Sequence, residues 1–286
     1  MDELLRGVCF DGKIAFAVLK TTQTVNRAIQ IHALSPTAAA AVGRTLTGTA
    51  FMATSLKNER DALTVTVAGG GPIGRIIACA NSSLEVRVTV DNPAVDLPPN
   101  ALGKLDVRGA VGTQGKITVV KSLGLKEPYV GSCNIVSGEI AQDFAAYYTY
   151  SEQQPTAIAL GVLVNKDGTC HGAGGVVFQP MPDAEDEHIK KVEELLPRLS
   201  KVSSMFENMS AKEVLFDLLG EISYEAYPVS YVCPCSREHF IRGVATLGKQ
   251  EVETMLIEDG EIRVTCDFCR QEYVYGREDF QTLLKD

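Results

Sequence analysis

Alternating apolar and polar positions in residues 1–180 predict a series of short β-strands. The stretch Leu63–Val67 alternates strictly between apolar residues and threonine, which indicates a strand with one buried face. The Asp11-Gly12 pair is a typical hairpin turn and separates two apolar runs of strand length. Further runs with the length and β-branched content of strands are Arg75–Ala80, Leu84–Val90, Lys116–Val120 and Ala157–Val164.

One longer helix is predicted among these strands. Ser35 is a typical N-cap residue, and Pro36 suits the first helical position. The alanine-rich run Thr37–Lys57 follows, and its Gly43 and Gly48 indicate close packing of a helix against a sheet. Because short strands greatly outnumber long helices, we expect an α+β domain with a largely antiparallel sheet rather than a doubly wound parallel sheet.

The pattern changes to a helical one in residues 183–230. Pro197 should kink or end the first helix, while Ser210 and Glu213 form a capping box for another that Gly220 should close. This segment is too apolar for a free linker and too short to own a core, so we expect it to pack on a neighbouring domain. The pattern is equally compatible with a passive connection between two domains and with a cover that can be released from the domain on which it packs. The apolar positions of the first helix are Ile189, Val192, Leu195, Leu196 and Leu199.

Two cysteine pairs near the end of the chain predict a metal site. Cys233 and Cys235 are separated by one proline, and Cys266 and Cys269 by two residues. Two such pairs, each on a short turn, supply the tetrahedral sulfur coordination that zinc prefers. Strand-like residues flank the second pair, and a unit of under about 60 residues needs an additional stabilising element such as a metal. We therefore predict one Zn²⁺ per chain, bound by all four cysteines.

The first pair makes redox chemistry a serious alternative to a purely structural role. Proline between the two ligands removes one backbone N–H that could stabilise a thiolate, and thiolates are the form that oxidants attack. Disulfide formation would remove ligands and release the metal, so a static zinc ribbon and a redox switch both remain open. His239 is a possible substitute ligand, but we expect it to be a packing or surface residue. The isolated cysteines, expected to be small buried apolar residues, are Cys9, Cys79, Cys133 and Cys170.

Charge and hydropathy exclude several classes of partner. The chain of 286 residues has a formal net charge of −9, and the acidic surplus lies after residue 180. Nucleic-acid binding requires clustered basic residues, so the acidic metal-bearing end argues against it. No apolar run reaches the ~20 residues of a membrane span, and the acidic N-terminus does not resemble a signal peptide. We expect a cytoplasmic protein, where eight cysteines serve metal or redox chemistry rather than permanent disulfides.

The glycine-rich stretch Gly69–Gly74 matches the G-x-G-x-x-G pattern of dinucleotide-binding loops. That site requires a helix after the glycines, whereas the residues from Arg75 onward have the pattern of a strand. No lysine followed by serine or threonine comes directly after these glycines, so a phosphate-binding P-loop is excluded too. We predict a glycine hairpin and no nucleotide cofactor.

Several of these motifs together resemble the 33-kDa heat-shock protein family of redox-regulated chaperones. They are Gly69–Gly74, Gly103–Gly112, Ile135–Glu139 and the two terminal cysteine pairs. The resemblance implies a substrate-binding and dimerisation domain at 1–180, a helical linker at 181–229 and a zinc-binding redox-switch domain at 230–286.

The same resemblance implies a function without enzymatic activity. The reduced, zinc-bound form would be inactive. Peroxide with heat, or hypochlorous acid, would form the disulfides Cys233–Cys235 and Cys266–Cys269 and release zinc. The active form would be a homodimer that holds unfolding client proteins without ATP. Linker residues expected to expose apolar surface on release are Leu195, Leu196, Leu199, Val214, Leu215 and Leu218.

Two other functions remain to be tested. A thiol–disulfide oxidoreductase would use Cys266 and Cys269 as its active pair, but it requires a βαβ setting that the flanking hairpin pattern does not predict. A zinc-ribbon adaptor for nucleic acid or protein is disfavoured by the local acidic charge. Turnover in insulin reduction would support the first, and salt-dependent nucleic-acid binding the second.

Overall fold

The computed structural model describes residues 1–165 and 167–281. They form two compact units, a larger one, Met1–Val232, and a smaller one that begins at Cys233. The predicted α+β class with largely antiparallel sheets is confirmed. The strands of the larger unit are β1 (Glu3–Cys9), β2 (Ile14–Lys20), β3 (Ala62–Ala68), β4 (Arg75–Asn81), β5 (Glu85–Val90), β6 (Lys116–Ser122), β7 (Tyr129–Asn134), β8 (Ala157–Val164), β9 (Cys170–Pro180), β10 (Glu225–Pro228) and β11 (Ser230–Tyr231).

The strands of the larger unit form two sheets. The first has the order β10-β1-β2-β9-β8 and is antiparallel throughout. The second has the order β11-β5-β4-β3-β6-β7 and is antiparallel except for the short β11, which pairs parallel with β5. The helices of this unit are α1 (Thr22–His32), α2 (Pro36–Ala53), α3 (Val107–Val111), α4 (Ala141–Tyr150), α5 (Asp186–Leu199), α6 (Val202–Asn208) and α7 (Ala211–Leu219).

Local sequence signals correctly located several of these elements. The Asp11-Gly12 turn joins β1 and β2, and the apolar positions of Leu63–Val67 are buried as the alternation predicted. Ser35 caps α2 by accepting a hydrogen bond from the Ala38 N–H at 3.2 Å. The other predicted strands correspond to β4, β5, β6 and β8.

The glycine hairpin is confirmed, and its packing explains the glycines. Gly69–Gly74 connects the antiparallel strands β3 and β4, so no helix follows the loop. The Gly71 N–H donates to the Val111 carbonyl oxygen at 2.9 Å. A Cβ atom at Gly71 would lie 2.3 Å from the Ala110 carbonyl oxygen. The hairpin therefore packs backbone to backbone against the end of α3, where a side chain has no room.

Helix α2 contacts strands of both sheets, and nearly all of its residues are buried. A Cβ atom at Gly43 would lie 2.8 Å from Val162, and one at Gly48 would lie 2.8 Å from the Phe144 ring. The prediction that small residues bring this helix close to a sheet is confirmed for Gly43. At Gly48 the close neighbour is helix α4. The helix ends at Ala53, before the predicted end at Lys57.

Helices α5, α6 and α7 pack on the five-stranded sheet. Ser210 and Glu213 form the predicted capping box of α7, and Gly220 ends this helix with φ 73°. The first helix does not end at Pro197, because α5 continues to Leu199; the alternative, a kink at Pro197, stays a prediction. The buried residues at this contact are Leu5, Val18, Val176, Phe178, Val192, Leu199, Val202, Phe206, Val214, Leu215 and Leu218.

The smaller unit contains more helix than the sequence indicated. Two helices, α8 (Arg237–Ala245) and α9 (Lys249–Asp259), precede the predicted hairpin of β12 (Ile262–Thr265) and β13 (Glu272–Tyr275). A short 3-10 helix, Arg277–Phe280, follows. The apolar core is small, and its buried members are Val252, Leu256, Ile262, Tyr275 and Phe280.

Candidate metal centre

The structure brings the four predicted ligands together in the smaller unit. The sulfur atoms of Cys233, Cys235, Cys266 and Cys269 all lie within 4.8 Å of one another. Cys233 Sγ is 3.7 Å from Cys266 Sγ, and Cys235 Sγ is 3.3 Å from Cys269 Sγ. Zinc–sulfur bonds of about 2.3 Å in a tetrahedron imply sulfur–sulfur separations of about 3.8 Å. The spacing of the thiols therefore suits a tetrahedral metal ion.

The first pair lies immediately before α8. Ser236 caps this helix by accepting a hydrogen bond from the His239 N–H at 3.1 Å, which fixes the chain direction just after Cys235. The Cys235 N–H is hydrogen-bonded to Cys233, so a backbone donor remains for that sulfur despite Pro234. His239 itself is exposed and lies outside the sulfur cluster, consistent with a surface residue.

The second pair occupies the turn between β12 and β13. The Arg270 N–H donates to the Cys266 carbonyl oxygen at 2.8 Å, and the Cys266 N–H donates to the Gln271 carbonyl oxygen at 2.9 Å. Arg270 has φ 59°, a left-handed conformation that reverses the chain toward β13. This tight turn holds the Cys266 and Cys269 side chains on the same side of the hairpin.

Contacts that sequence reasoning missed tie the two pairs together. Tyr273 Oη lies 3.3 Å from Cys235 Sγ and donates to the Cys235 carbonyl oxygen at 3.3 Å. Tyr275 Oη donates to the Arg237 carbonyl oxygen at 2.8 Å, and Arg237 makes two bonds to the Asp279 carboxylate at 2.7 and 2.8 Å. Alternation along β13 places both tyrosines on one face, which is the signal that could have identified them.

The pKa values of three of the thiols are shifted, and not all in the same direction. Burial raises the pKa of Cys233 and of Cys269. Burial acts on Cys235 in the same direction, but hydrogen bonds from Tyr273 and the neighbouring thiols outweigh it and lower its pKa. Four thiolates at these separations repel one another, and a divalent cation among them supplies the compensating charge. The residues therefore fit a metal, and the all-sulfur set matches zinc.

Within residues 1–165 and 167–281, this cluster is the one group of three or more potential ligands close enough to share a metal ion. The remaining cysteines are unpaired thiols. Cys9, Cys79 and Cys170 are buried as predicted, and burial raises the pKa of Cys9 and of Cys170 to about 12. Cys133 is only half-buried because β7 is an edge strand, so the prediction of burial was wrong there.

None of the helices in the described part of the chain is long and apolar enough to cross a membrane.

Comparisons with known proteins agree over the whole chain. The family model described as Hsp33 protein matches residues 2–276. The 33 kDa chaperonin of Bacillus subtilis (strain 168) is 43% identical over 286 residues, covering 99% of this chain and 98% of the relative. That of Staphylococcus aureus (strain JH9) is 45% identical over 288 residues, with coverage of 99% and 98%.

A solved structure shows the same fold. The crystal structure of the 33 kDa chaperonin (heat shock protein 33 homolog) from Thermotoga maritima superposes with a TM-score of 0.90 at 37% identity. The match covers 99% of this chain and 97% of the other. With the fold, the four-thiol cluster and these matches in agreement, the chain belongs to the Hsp33 family of chaperones.

Proposed function

We propose that this protein is a redox-regulated chaperone that holds unfolding proteins without ATP and is inactive while its four cysteines bind one zinc ion. The single observation that carries the proposal is the cluster of four thiols within 4.8 Å in a unit with a small apolar core. Structural zinc contributes about 10–16 kcal/mol of apparent binding free energy in small units, and most of it is folding free energy. Loss of the metal should therefore unfold this unit.

Oxidation supplies the trigger. Hydrogen peroxide accepts two electrons from a pair of thiols, which become one disulfide while the peroxide is reduced to two molecules of water. In the proposed oxidised form the disulfides are Cys233–Cys235 and Cys266–Cys269, a pairing that follows from the family resemblance. Each disulfide removes two thiolate ligands, so both together leave no sulfur donor for the metal.

The cover to be released is the segment α5–α7, within the proposed linker 181–229. It packs on the five-stranded sheet through residues that include Phe206, which is fully buried. Undocking would expose apolar faces of both the helices and the sheet, and such patches bind unfolded chains. Leu199, Val214, Leu215 and Leu218 are buried in the docked state, as this role requires. Leu195 is only partly buried, and Leu196 is already 43% exposed, so they would add less new surface than expected.

The proposal includes a substrate-binding and dimerisation domain at 1–180, a switch domain at 230–286, homodimerisation on oxidation and a cytoplasmic location. It includes no catalytic residue, nucleotide, nucleic acid or membrane partner. An oxidoreductase is disfavoured because Cys266 and Cys269 lie in a β-hairpin turn, not at the N-terminus of a helix. The acidic charge of the chain end disfavours a nucleic-acid adaptor.

The test compares reduced, zinc-loaded protein with peroxide-treated protein in suppressing aggregation of an unfolding client without nucleotide. We expect suppression only after oxidation, in step with zinc release and with rising binding of a hydrophobic dye. Reduction with zinc restored should reverse all three. A Cys133→Ser variant is the matched control, because it removes a half-buried thiol outside the cluster. Equal suppression in both redox states would leave a chaperone but contradict the switch.

A further inference from the structure

The Tyr273 hydroxyl lies where it can bond the sulfur of Cys235. Its Oη is 3.3 Å from Cys235 Sγ and 3.3 Å from the Cys235 carbonyl oxygen. The distance to the carbonyl oxygen is long for an O–H···O bond, which is normally about 2.5–3.0 Å. Sulfur is a larger atom, so the same separation from Sγ is an ordinary hydrogen-bond distance. The single hydroxyl proton is therefore better placed on the sulfur than on the carbonyl oxygen.

Metal binding fixes the direction of this hydrogen bond. Cysteine binds a metal as the thiolate, which has no proton to donate. In the metal-bound form the Tyr273 hydroxyl must then be the donor and Cys235 Sγ the acceptor. A hydrogen bond to an ionised acceptor is stronger than one between two neutral groups. The contact should therefore be strongest when the cluster binds its metal.

Packing holds the Tyr273 side chain in this position. Tyr273 is half-buried on β13, where it is paired with Val264 of β12. Its ring centroid lies 5.3 Å from that of Phe240 on α8. Strand pairing and ring contact both restrict the side chain, so little ordering is needed when the hydroxyl bonds the sulfur.

A side chain supplies to Cys235 the kind of donor that the backbone supplies to two other ligands. The Cys235 N–H is hydrogen-bonded to Cys233, and the Gln271 N–H to Cys269. A backbone donor is present whatever the side chain is, whereas the bond to Cys235 Sγ depends on one hydroxyl group. A single substitution at Tyr273 can therefore remove this bond selectively.

We propose that Tyr273 is a positioning residue that sets how readily the thiol cluster is oxidised, by donating a hydrogen bond to Cys235 Sγ in the metal-bound form. The bond withdraws electron density from the sulfur, which makes the thiolate a weaker nucleophile toward an oxidant. It is lost in the disulfide, whose sulfur is uncharged, so it stabilises the reduced state specifically. This inference rests on the proposed function for the role of oxidation and adds a residue that determines the oxidant concentration required.

The oxidation that this bond opposes is a two-electron reaction with hydrogen peroxide. One thiolate attacks a peroxide oxygen, the O–O bond breaks, and a sulfenic acid and a hydroxide ion are formed. The other thiolate of the pair then attacks the sulfenic sulfur and displaces a second hydroxide, which leaves the disulfide. The two hydroxide ions take up protons from the solvent and become water.

The test compares two tyrosines on the same face of β13. Tyr273→Phe removes the hydroxyl and keeps the ring that contacts Phe240. Tyr275→Phe is the matched control, because Tyr275 Oη donates to the Arg237 carbonyl oxygen at 2.8 Å, a bond that involves no sulfur. Any structural effect of losing a hydroxyl bonded to a backbone carbonyl should therefore appear in both variants.

The first measurement is zinc release from reduced, zinc-loaded protein, followed with a chromophoric chelator. Release without peroxide is subtracted, so the rate reports attack on sulfur rather than spontaneous dissociation. We expect Tyr273→Phe to release zinc about threefold faster or more, since one hydrogen bond to the thiolate is lost. Its zinc affinity should fall by about tenfold. Tyr275→Phe should stay within about twofold of the parent protein in both quantities.

The second measurement is the absorption of protein loaded with Co²⁺ in place of zinc. Losing a hydrogen bond raises the energy of the sulfur lone pair, so the sulfur-to-cobalt charge-transfer band of Tyr273→Phe should move to longer wavelength. The band of Tyr275→Phe should coincide with that of the parent. Tyr273→3-fluorotyrosine should slow zinc release and move the band to shorter wavelength, because fluorine makes the hydroxyl a stronger donor. This variant keeps the test valid even if Tyr273→Phe fails to fold.

The inference is wrong if Tyr273→Phe releases zinc no faster than the parent, or if Tyr275→Phe speeds release equally. It is also wrong if the cobalt band does not move, or if Tyr273→3-fluorotyrosine speeds release. Neither measurement uses a client protein, so the two proposals fail separately. Zinc release that depends on Tyr273 without any suppression of aggregation would contradict the proposed function alone. Equal release from parent and Tyr273→Phe, with intact switching, would contradict the role of Tyr273 alone.

Discussion

Phe206 on α6 tests whether the helical segment is a separable cover. The side chain is fully buried against the five-stranded sheet, and a Cβ atom at Gly174 would lie 2.5 Å from its ring. Replacing this ring by a methyl group leaves a cavity that the sheet cannot fill, which costs about 3–5 kcal/mol for a buried phenylalanine. Phe216 on α7 is 63% exposed, so Phe216→Ala removes the same atoms at a cost of about 0.5 kcal/mol or less.

The magnitude determines what should be observed. A loss of about 3 kcal/mol changes the ratio of docked to undocked helices by more than about 100-fold. If docking alone keeps the apolar face covered, reduced and zinc-loaded Phe206→Ala should bind more hydrophobic dye and should suppress client aggregation without oxidant. Phe216→Ala should behave like the parent protein in both assays.

The measurements are dye binding, client aggregation and urea unfolding on both variants in the reduced state. Zinc content should be unchanged, because neither residue lies in the smaller unit. The reasoning is refuted if Phe206→Ala is destabilised by the expected amount yet remains as inactive as Phe216→Ala. It is also refuted if the helices and the sheet of Phe206→Ala unfold together in one transition, because the helices would then be part of the sheet's core.

Three further predictions concern the metal and the pH dependence. X-ray absorption of the reduced protein should show one zinc per chain with sulfur ligands only, and a nitrogen ligand would contradict the four-cysteine site. Cys269→Ser should weaken zinc binding and make the chain sensitive to protease after about residue 183, while residues 1–180 stay resistant. Cys133→Ser is the control and should leave both zinc binding and protease resistance unchanged. Cleavage of Cys269→Ser throughout residues 1–180 would contradict the prediction. Hydrogen bonds from the Asn58 and Lys57 N–H groups hold the pKa of Asp61 below its usual value, so its stabilising contribution is present above about pH 4 and is lost as the pH falls through the lowered pKa. Asp61→Asn should therefore lower the unfolding temperature at neutral pH but not in strong acid. The control Asp11→Asn, at an exposed position, should leave the unfolding temperature unchanged at both pH values.

Features governed by neighbouring residues were predictable from the sequence. The alternation in Leu63–Val67 gave the buried face of β3, since side-chain direction in a strand has a period of two. The caps at Ser35 and Ser210 depend on side chains that bond within three residues, so the starts of α2 and α7 followed directly. The four cysteines of the cluster could also be predicted, because the two members of each pair are close together in the sequence.

Features governed by distant packing were not predictable. The glycines of β9 would ordinarily indicate a turn, yet a Cβ atom at Gly172 would lie 2.4 Å from the Ser203 carbonyl oxygen, so glycine is what lets α6 approach the sheet. Helices α8 and α9 were missed because α9 buries only Val252 and Leu256 and α8 buries no residue fully, which leaves little apolar periodicity.

The sequence by itself thus determined the class of fold, the family and the four cysteines of the thiol cluster, because each can be identified from short motifs and their spacing. Only the tertiary structure decided that α5–α7 cover the five-stranded sheet, that Tyr273 contacts Cys235, and that β8 is an edge strand among the described residues. The physical reason is that a strand's own residues specify its faces, whereas the chain path through the whole domain decides which neighbours cover those faces and which edge remains unpaired.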